Sequence, residues 1–186
     1  MPAIAFGKDF DIERWLDWVI DVPTIFRFRA RGLVPSGAVP FRRLMELRGC
    51  DELREQDWEL HASTIFTDVR SYTYVEVRSA DLQPDEHIFA VPVFWTGIFY
   101  HDAALDGALA LGSALDYEGW DQAMQSAARD GLRGRMGERS LRDVVRDALA
   151  LSARGLRDGA ACVRDPSVAL ASLERLAARH ELEIEN

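Results

Sequence analysis

The sequence predicts an α+β fold, mostly helical, with one small antiparallel sheet that is incomplete. Three observations predict it. Strand-like alternation is confined to the part of the chain before Ser79, whereas apolar residues at helical spacing run through everything from Pro84 onward. A two-faced strand around Val75 needs partners on both edges and a covering layer, and the chain offers few other strands to supply them.

Each element follows from local chemistry. Ile12, Trp15, Leu16 and Val19 recur at helical spacing after Asp11, a good cap, and Asp21-Val22-Pro23 ends that helix. Thr24 to Ala30 alternates as a strand and, with Ile4 to Phe6, is what the chain offers as neighbours to the strand around Val75, and the proline-bearing stretch from Leu33 to Pro40 reads as a loop. Phe41 to Leu47 reads as a short helix, and Asp57 opens another that carries Trp58 and His61. Strand signals stop after Arg78. Pro92 interrupts the run from Ile88 to Tyr100 and predicts a kink there. Asp116 to Ala128 reads as a helix, and Ser140-Leu141-Arg142-Asp143 is a capping box ahead of Val144, Val145, Ala148 and Leu151. Asp165-Pro166 opens a final helix, with proline at the first position, where its missing donor costs nothing.

Composition bounds the function. At 186 residues, 48% hydrophobic and 28% charged, the chain fits one domain over 1–186, with a mixed helix and strand part at 1–83 and a helical part at 84–186. A net charge of -9 argues against a nucleic-acid partner, because phosphate backbones need a basic surface. Lys8 is the single lysine among 22 basic residues, so any phosphate binding falls to guanidinium groups. Cys50 and Cys162 lie far apart without metal-ligand spacing, and no apolar run reaches membrane-span length. With no signal-peptide pattern at the N-terminus, a cytoplasmic setting is the default expectation.

The segment from Asp57 to Asp81 carries the chemistry. Side chains alternate across a strand, which sets Tyr72, Tyr74, Glu76 and Arg78 on one face and Thr73, Val75 and Val77 on the other, the face expected to be buried. Arg70 and His61 arrive from just upstream. A carboxylate beside guanidinium groups suits a metal ion and the phosphate bound to it, but an antiparallel sheet often shows water just such a polar face. Alternation alone leaves both readings open. The chain carries no Gly-rich phosphate loop, HExxH or G-x-S-x-G elbow.

The wider pattern is more specific. It comprises Trp58, His61, Ser63-Thr64, Phe66, Val69-Arg70, Tyr74, Glu76, Arg78 and Ala80-Asp81. Upstream stand Phe10, Glu13, Asp21-Val22-Pro23, Phe26 and Phe41-Arg42; downstream stand Val91-Pro92, Phe94-Trp95 and Gly97. In collinear order these residues resemble the C-terminal half of the glutamate-cysteine ligases of the plant and proteobacterial type, within the glutamine synthetase-like carboxylate-amine ligases. Thr67-Asp68 replaces the family's Pro-Glu, Ser79 its Gly, and Leu82-Gln83-Pro84 its Gly-rich step. Beyond Ala103 the likeness fades to a helical pattern, and nothing in the chain stands in for the family's long N-terminal half.

The resemblance implies ATP-dependent joining of the glutamate side-chain carboxylate to the cysteine amine, through an acyl phosphate. By that resemblance Glu76 is a Mg ligand, and Arg78 and Arg70 are the catalytic cations on phosphate or substrate. His61, Thr64 and Tyr74 line the same cleft. One carboxylate is too few for a Mg and ATP site, so the implied enzyme needs a complementary chain or a second copy. The alternatives are a non-catalytic binding module and a dimerising remnant.

Overall fold

A computed structural model describes residues 2–48, 52–71, 73–159 and 163–184. Tyr72, Cys50 and Cys162 lie outside the described residues. The chain divides into two compact units, Met1–Ser79 and Ala80–Asn186.

The first unit is mixed. A 3-10 turn at Ala3–Phe6 stands where a neighbouring strand was expected. Helix α1, Ile12–Asp21, starts at Asp11, whose carboxylate accepts the Arg14 N–H at 2.8 Å. Strands β1, Phe26–Arg29, and β2, Gly32–Pro35, form an antiparallel hairpin with Arg27 opposite Val34. Thus β2 occupies the first part of the stretch expected to be loop. Helix α2, Phe41–Leu44, is shorter than expected, and α3, Glu55–Ser63, begins two residues before Asp57. Strands β3, Val69–Ser71, and β4, Val75–Val77, form a second antiparallel hairpin. The motif strand therefore pairs with the residues just upstream of it and not with Phe26–Arg29, because a short turn closes a local hairpin at less entropic cost than a distant pairing.

The interior of this unit holds Val19, Thr24, Phe41, Leu44, Asp57, His61 and Ile65. Asp57 is the pin between β1 and α3. Its fully buried carboxylate accepts the Phe28 N–H at 2.6 Å and the Arg54 N–H at 3.0 Å, and it pairs with the Arg29 guanidinium at 3.3 Å. An asparagine there keeps the size but loses the charge opposite a largely buried arginine. Asp57→Asn is expected to destabilise the unit by about 2 kcal/mol, read as an earlier urea transition by tryptophan fluorescence. At the surface, Arg42 bridges Asp21 at 2.6 Å and Asp17 at 3.1 Å, joining α2 to the end of α1. That bond holds the Asp21 carboxyl below its usual range.

The second unit is helical: α4, Ala90–Phe99; α5, Asp102–Gly112; α6, Tyr117–Asp130; α7, Leu141–Arg157; and α8, Pro166–Arg179. A two-residue hairpin, β5 at Arg135–Met136 and β6 at Arg139–Ser140, interrupts the region expected to be wholly helical. Three helices start at the capping residues the sequence offers: Asp116, Ser140 and Asp165 each accept a backbone N–H of the first turn. Pro92 causes no kink. It lies in the first turn of α4, where its nitrogen has no helical acceptor to lose.

The core joins α7 and α8 through Leu149, Ala153, Leu156, Ala169, Leu173, Ala177 and Leu182. Helix α4 crosses α7 at a pair of glycines. A Cβ on Gly155 would fall on the carbonyl oxygen of Gly97, and one on Gly97 would fall on that of Ser152. The Ser152 hydroxyl donates to the Phe94 carbonyl at 2.9 Å across the same crossing.

Candidate functional site

The hairpin β3–β4 brings Arg70, Glu76 and Arg78 together. Arg70 and Glu76 are direct cross-strand partners, so their side chains leave one face together, and Arg78, two residues on from Glu76, joins them. Arg70 Nε stands 3.6 Å and Arg78 Nε 3.9 Å from Glu76 Oε2. Asp68, opposite Arg78 in the same register, brings a second carboxylate to this face. The Arg70 side chain is only 14% exposed, where charge is poorly screened. The Arg78 guanidinium also lies 5.3 Å from the ring centre of Phe66, a cation–π distance that fixes its plane. The arrangement suits an anion with several oxygens, such as a phosphate or carboxylate.

A divalent cation is a harder fit. Glu76 Oε2 is buried without a hydrogen-bond partner, with both guanidinium nitrogens beyond bonding distance, so this oxygen can take one more donor or a hard cation. Among the described residues no group of three or more His, Cys, Asp or Glu side chains gathers to hold a metal. Glu76 therefore fits as one Mg ligand of several, the rest coming from elsewhere.

The structure does not bring every expected residue to this cluster. His61 lies in the interior, 1% exposed, stacked on Phe41 with ring centres 4.7 Å apart. Its Nε2 donates to the Val19 carbonyl at 2.8 Å, which leaves Nδ1 to face the Thr24 hydroxyl at 3.4 Å. The ring ties α3 to α1. Thr64 ends α3, and its hydroxyl donates to the His61 carbonyl at 2.9 Å. Tyr74, before β4, is 63% exposed. The groove beside α3, 740 Å³ in volume, is lined by Phe28, Trp58, Leu60 and Ser63 among others and includes none of the three charged residues.

Burial pushes the His61 pKa below its usual 6.5, since a charged ring would lose its hydration there. The neutral ring is favoured in the folded unit, so the unfolded chain binds the extra proton. The first unit is therefore expected to hold its full His61 contribution above pH 6.5 and to lose it as the pH falls from 6.5 toward the lowered value. Urea midpoints across that window should rise with pH, and His61→Gln should flatten the rise.

The face expected to be buried is open. Val75 is 65% exposed, Thr73 is exposed and Val77 is half-buried, because among the described residues no second layer covers the two-stranded hairpin. Sequence reasoning missed Asp57 as a pin and Phe66 as the platform under Arg78. An acid at the third position of a helix was the available signal for the first, and nothing local distinguished the second.

The strand-borne acid beside guanidinium groups and the Asp-Val-Pro turn tied by Asp21 and Arg42 are the motifs that resemble those of the carboxylate-amine ligases. The model of Glutamate-cysteine ligase family 2 (GCS2) matches residues 1–179, and the chain belongs to this family. It is similar to the chloroplastic glutamate–cysteine ligase of Nicotiana tabacum, 30% identical over 161 residues, covering 84% of this chain and 31% of the relative. It is likewise similar to the Arabidopsis thaliana chloroplastic glutamate–cysteine ligase, 32% identical over 167 residues, covering 84% of this chain and 31% of that protein. Against glutamate–cysteine ligase A of Oryza sativa subsp. japonica, also chloroplastic, it is 30% identical over 160 residues, 84% of this chain and 32% of the relative. The chain spans about a third of the length of the curated relatives it matches.

Proposed function

We propose that this chain is the part of a glutamate-cysteine ligase that presents guanidinium groups to ATP and glutamate, and that it works with a complementary polypeptide supplying the remaining acidic ligands. The observation that supports this is the cluster of Arg70, Glu76 and Arg78 on one hairpin face. ATP is a substrate, and Mg, when bound, neutralises charge on its phosphate oxygens. Arg78 and Arg70 would bind the transferred phosphate and the glutamate carboxylate, and Glu76 would be one of several residues holding Mg. Tyr74 borders the cleft from its exposed position, while His61 and Thr64 act from behind by fixing α3, which leads into the hairpin. Cysteine supplies the acceptor amine, and the setting is cytoplasmic.

The test follows ADP release from purified chain with ATP, Mg, glutamate and cysteine, alone and with a polypeptide comprising the rest of a relative's sequence. Turnover is expected only in the mixture. Nucleotide binding without turnover in that mixture would favour a binding module, and absence of binding in both would overturn the ligase reading.

A further inference from the structure

We propose that the β1–β2 hairpin holds a binding site for a phosphate-like oxyanion between the Arg27 guanidinium and the Ser36 hydroxyl, a site that does not depend on the ligase reading. The ladder sets both groups on one face. Arg27 pairs with Val34 and Arg29 with Gly32, and the Ser36 N–H donates to the Ile25 carbonyl at 2.9 Å, which carries the register one residue beyond the Phe26–Pro35 pair. Opposed residues and those two apart share a face, so Ile25, Arg27 and Arg29 stand on the same side as Val34 and Ser36. Ser36 is the diagonal neighbour of Arg27, at a Cα separation of about 7–8 Å that a guanidinium and one bound oxyanion can span.

Both groups lack what burial demands. Arg27 Nε and Nη1 and Ser36 Oγ are buried without a hydrogen-bond partner, and Ser36 as a whole is 7% exposed. Such atoms are rare in folded proteins, because each has lost its water without gaining a partner. A buried lysine can shed its proton, but an arginine cannot, so the Arg27 charge persists and calls for an anion. Arg29, next on the same face, shows the contrast. Its guanidinium has the Asp57 carboxylate at 3.3 Å, whose other bonds go to the Phe28 and Arg54 N–H groups. Among the described residues no carboxylate stands in that relation to Arg27.

The donor set selects the class of anion. A planar carboxylate has two oxygens, and a guanidinium fork alone matches both. A phosphate group keeps further oxygens at other corners, one of which can accept the hydroxyl arriving from the second strand. Ile25, on the same face, is 44% exposed and Arg27 is only half-buried, so solvent reaches this end of the hairpin.

The test titrates inorganic phosphate into the whole chain while NMR follows the Arg27 Nε and Ser36 amide signals. Both are expected to move together and to saturate, and saturating phosphate should raise the thermal midpoint, because it binds the folded chain alone. Arg27→Gln should weaken binding about 30-fold or more and abolish the thermal shift. Ser36→Ala removes a single hydroxyl, is the milder change for the fold, and should weaken binding about five-fold. Arg78→Ala should leave the titration unchanged, which separates this site from the β3–β4 cluster. Absence of a saturable movement at Arg27, or undiminished phosphate affinity in a folded Arg27→Gln or Ser36→Ala variant, overturns the proposal. So does loss of binding in Arg78→Ala, which would move the phosphate to the other hairpin, or acetate binding as tightly as phosphate, which would make the site one for carboxylates. None of these readouts involves ADP release, so this site and the ligase reading can fail separately.

Discussion

Gly155→Ala is expected to destabilise the helical unit by about 3 kcal/mol or more, lowering its Tm by roughly 12 °C or more. The reason is the crossing of α4 and α7, where the added methyl would land on the backbone carbonyl of Gly97 and within 3.1 Å of the His101 Cβ. Backbone cannot rotate out of the way as a side chain can, so the two helices must separate. Separation would break the Ser152 to Phe94 bond and open the packing of Val93 and Phe94 against the core. Gly97→Ala should act similarly through the Ser152 carbonyl. Gly112→Ala is the control: nothing lies within 4 Å of the new methyl at the end of α5, so the change should be neutral or gain up to about 1 kcal/mol through helix propensity. One chemical change thus gives opposite signs at two sites, read by calorimetry. A Tm for Gly155→Ala within two or three degrees of the parent, an interval well inside the expected drop, would mean that the helices do not meet there.

Arg78→Ala is expected to lower ADP release by the assembled protein about 10³-fold while leaving the unfolding midpoint of the first unit nearly unchanged. The side chain is 30% exposed, and its ion pair with Glu76, at 3.9 Å, is too long and too wet to contribute much stability. Under the proposed function its placement above the Phe66 ring is what would matter, since a charge held in one plane neutralises a developing phosphate charge without first reorganising. Arg78→Lys should recover only part of the loss, because an ammonium offers a point charge in place of a planar fork. Arg129→Ala, on the exposed end of α6, should leave turnover unchanged.

Much of this was legible in the sequence, and the reasons differ by element. The caps at Asp11, Asp116, Ser140 and Asp165 are local chemistry, a side-chain oxygen beside orphan backbone donors, and the helices begin where those residues stand. The grouping of Glu76 and Arg78 followed from strand alternation alone. Arg70 opposite Glu76 did not, because register depends on the turn, and the strands the sequence offered as neighbours were Thr24 to Ala30 and Ile4 to Phe6. The place of His61 was set by tertiary contacts with Val19 and Phe41, which no local pattern encodes. The kink expected at Pro92 failed for a positional reason: the same residue bends a helix interior and begins a helix, and only the helix start at Ala90 distinguishes the two.

The open valine face has the same origin as the incomplete sheet. Alternation in the sequence marks a face as suited to burial, but burial itself requires a covering layer, and among the described residues none lies over Val75.

The measurement that bears most directly on the central claim is the ¹⁵N NMR signal of the Arg70 and Arg78 Nε groups as the assembled protein is titrated with a non-hydrolysable ATP analogue and Mg. Both side-chain resonances should move in saturable fashion with the nucleotide, and both movements should be absent in Glu76→Gln if that carboxylate helps seat the Mg–phosphate unit. Saturable nucleotide binding in which neither arginine signal shifts would contradict the claim that this hairpin face meets the phosphate.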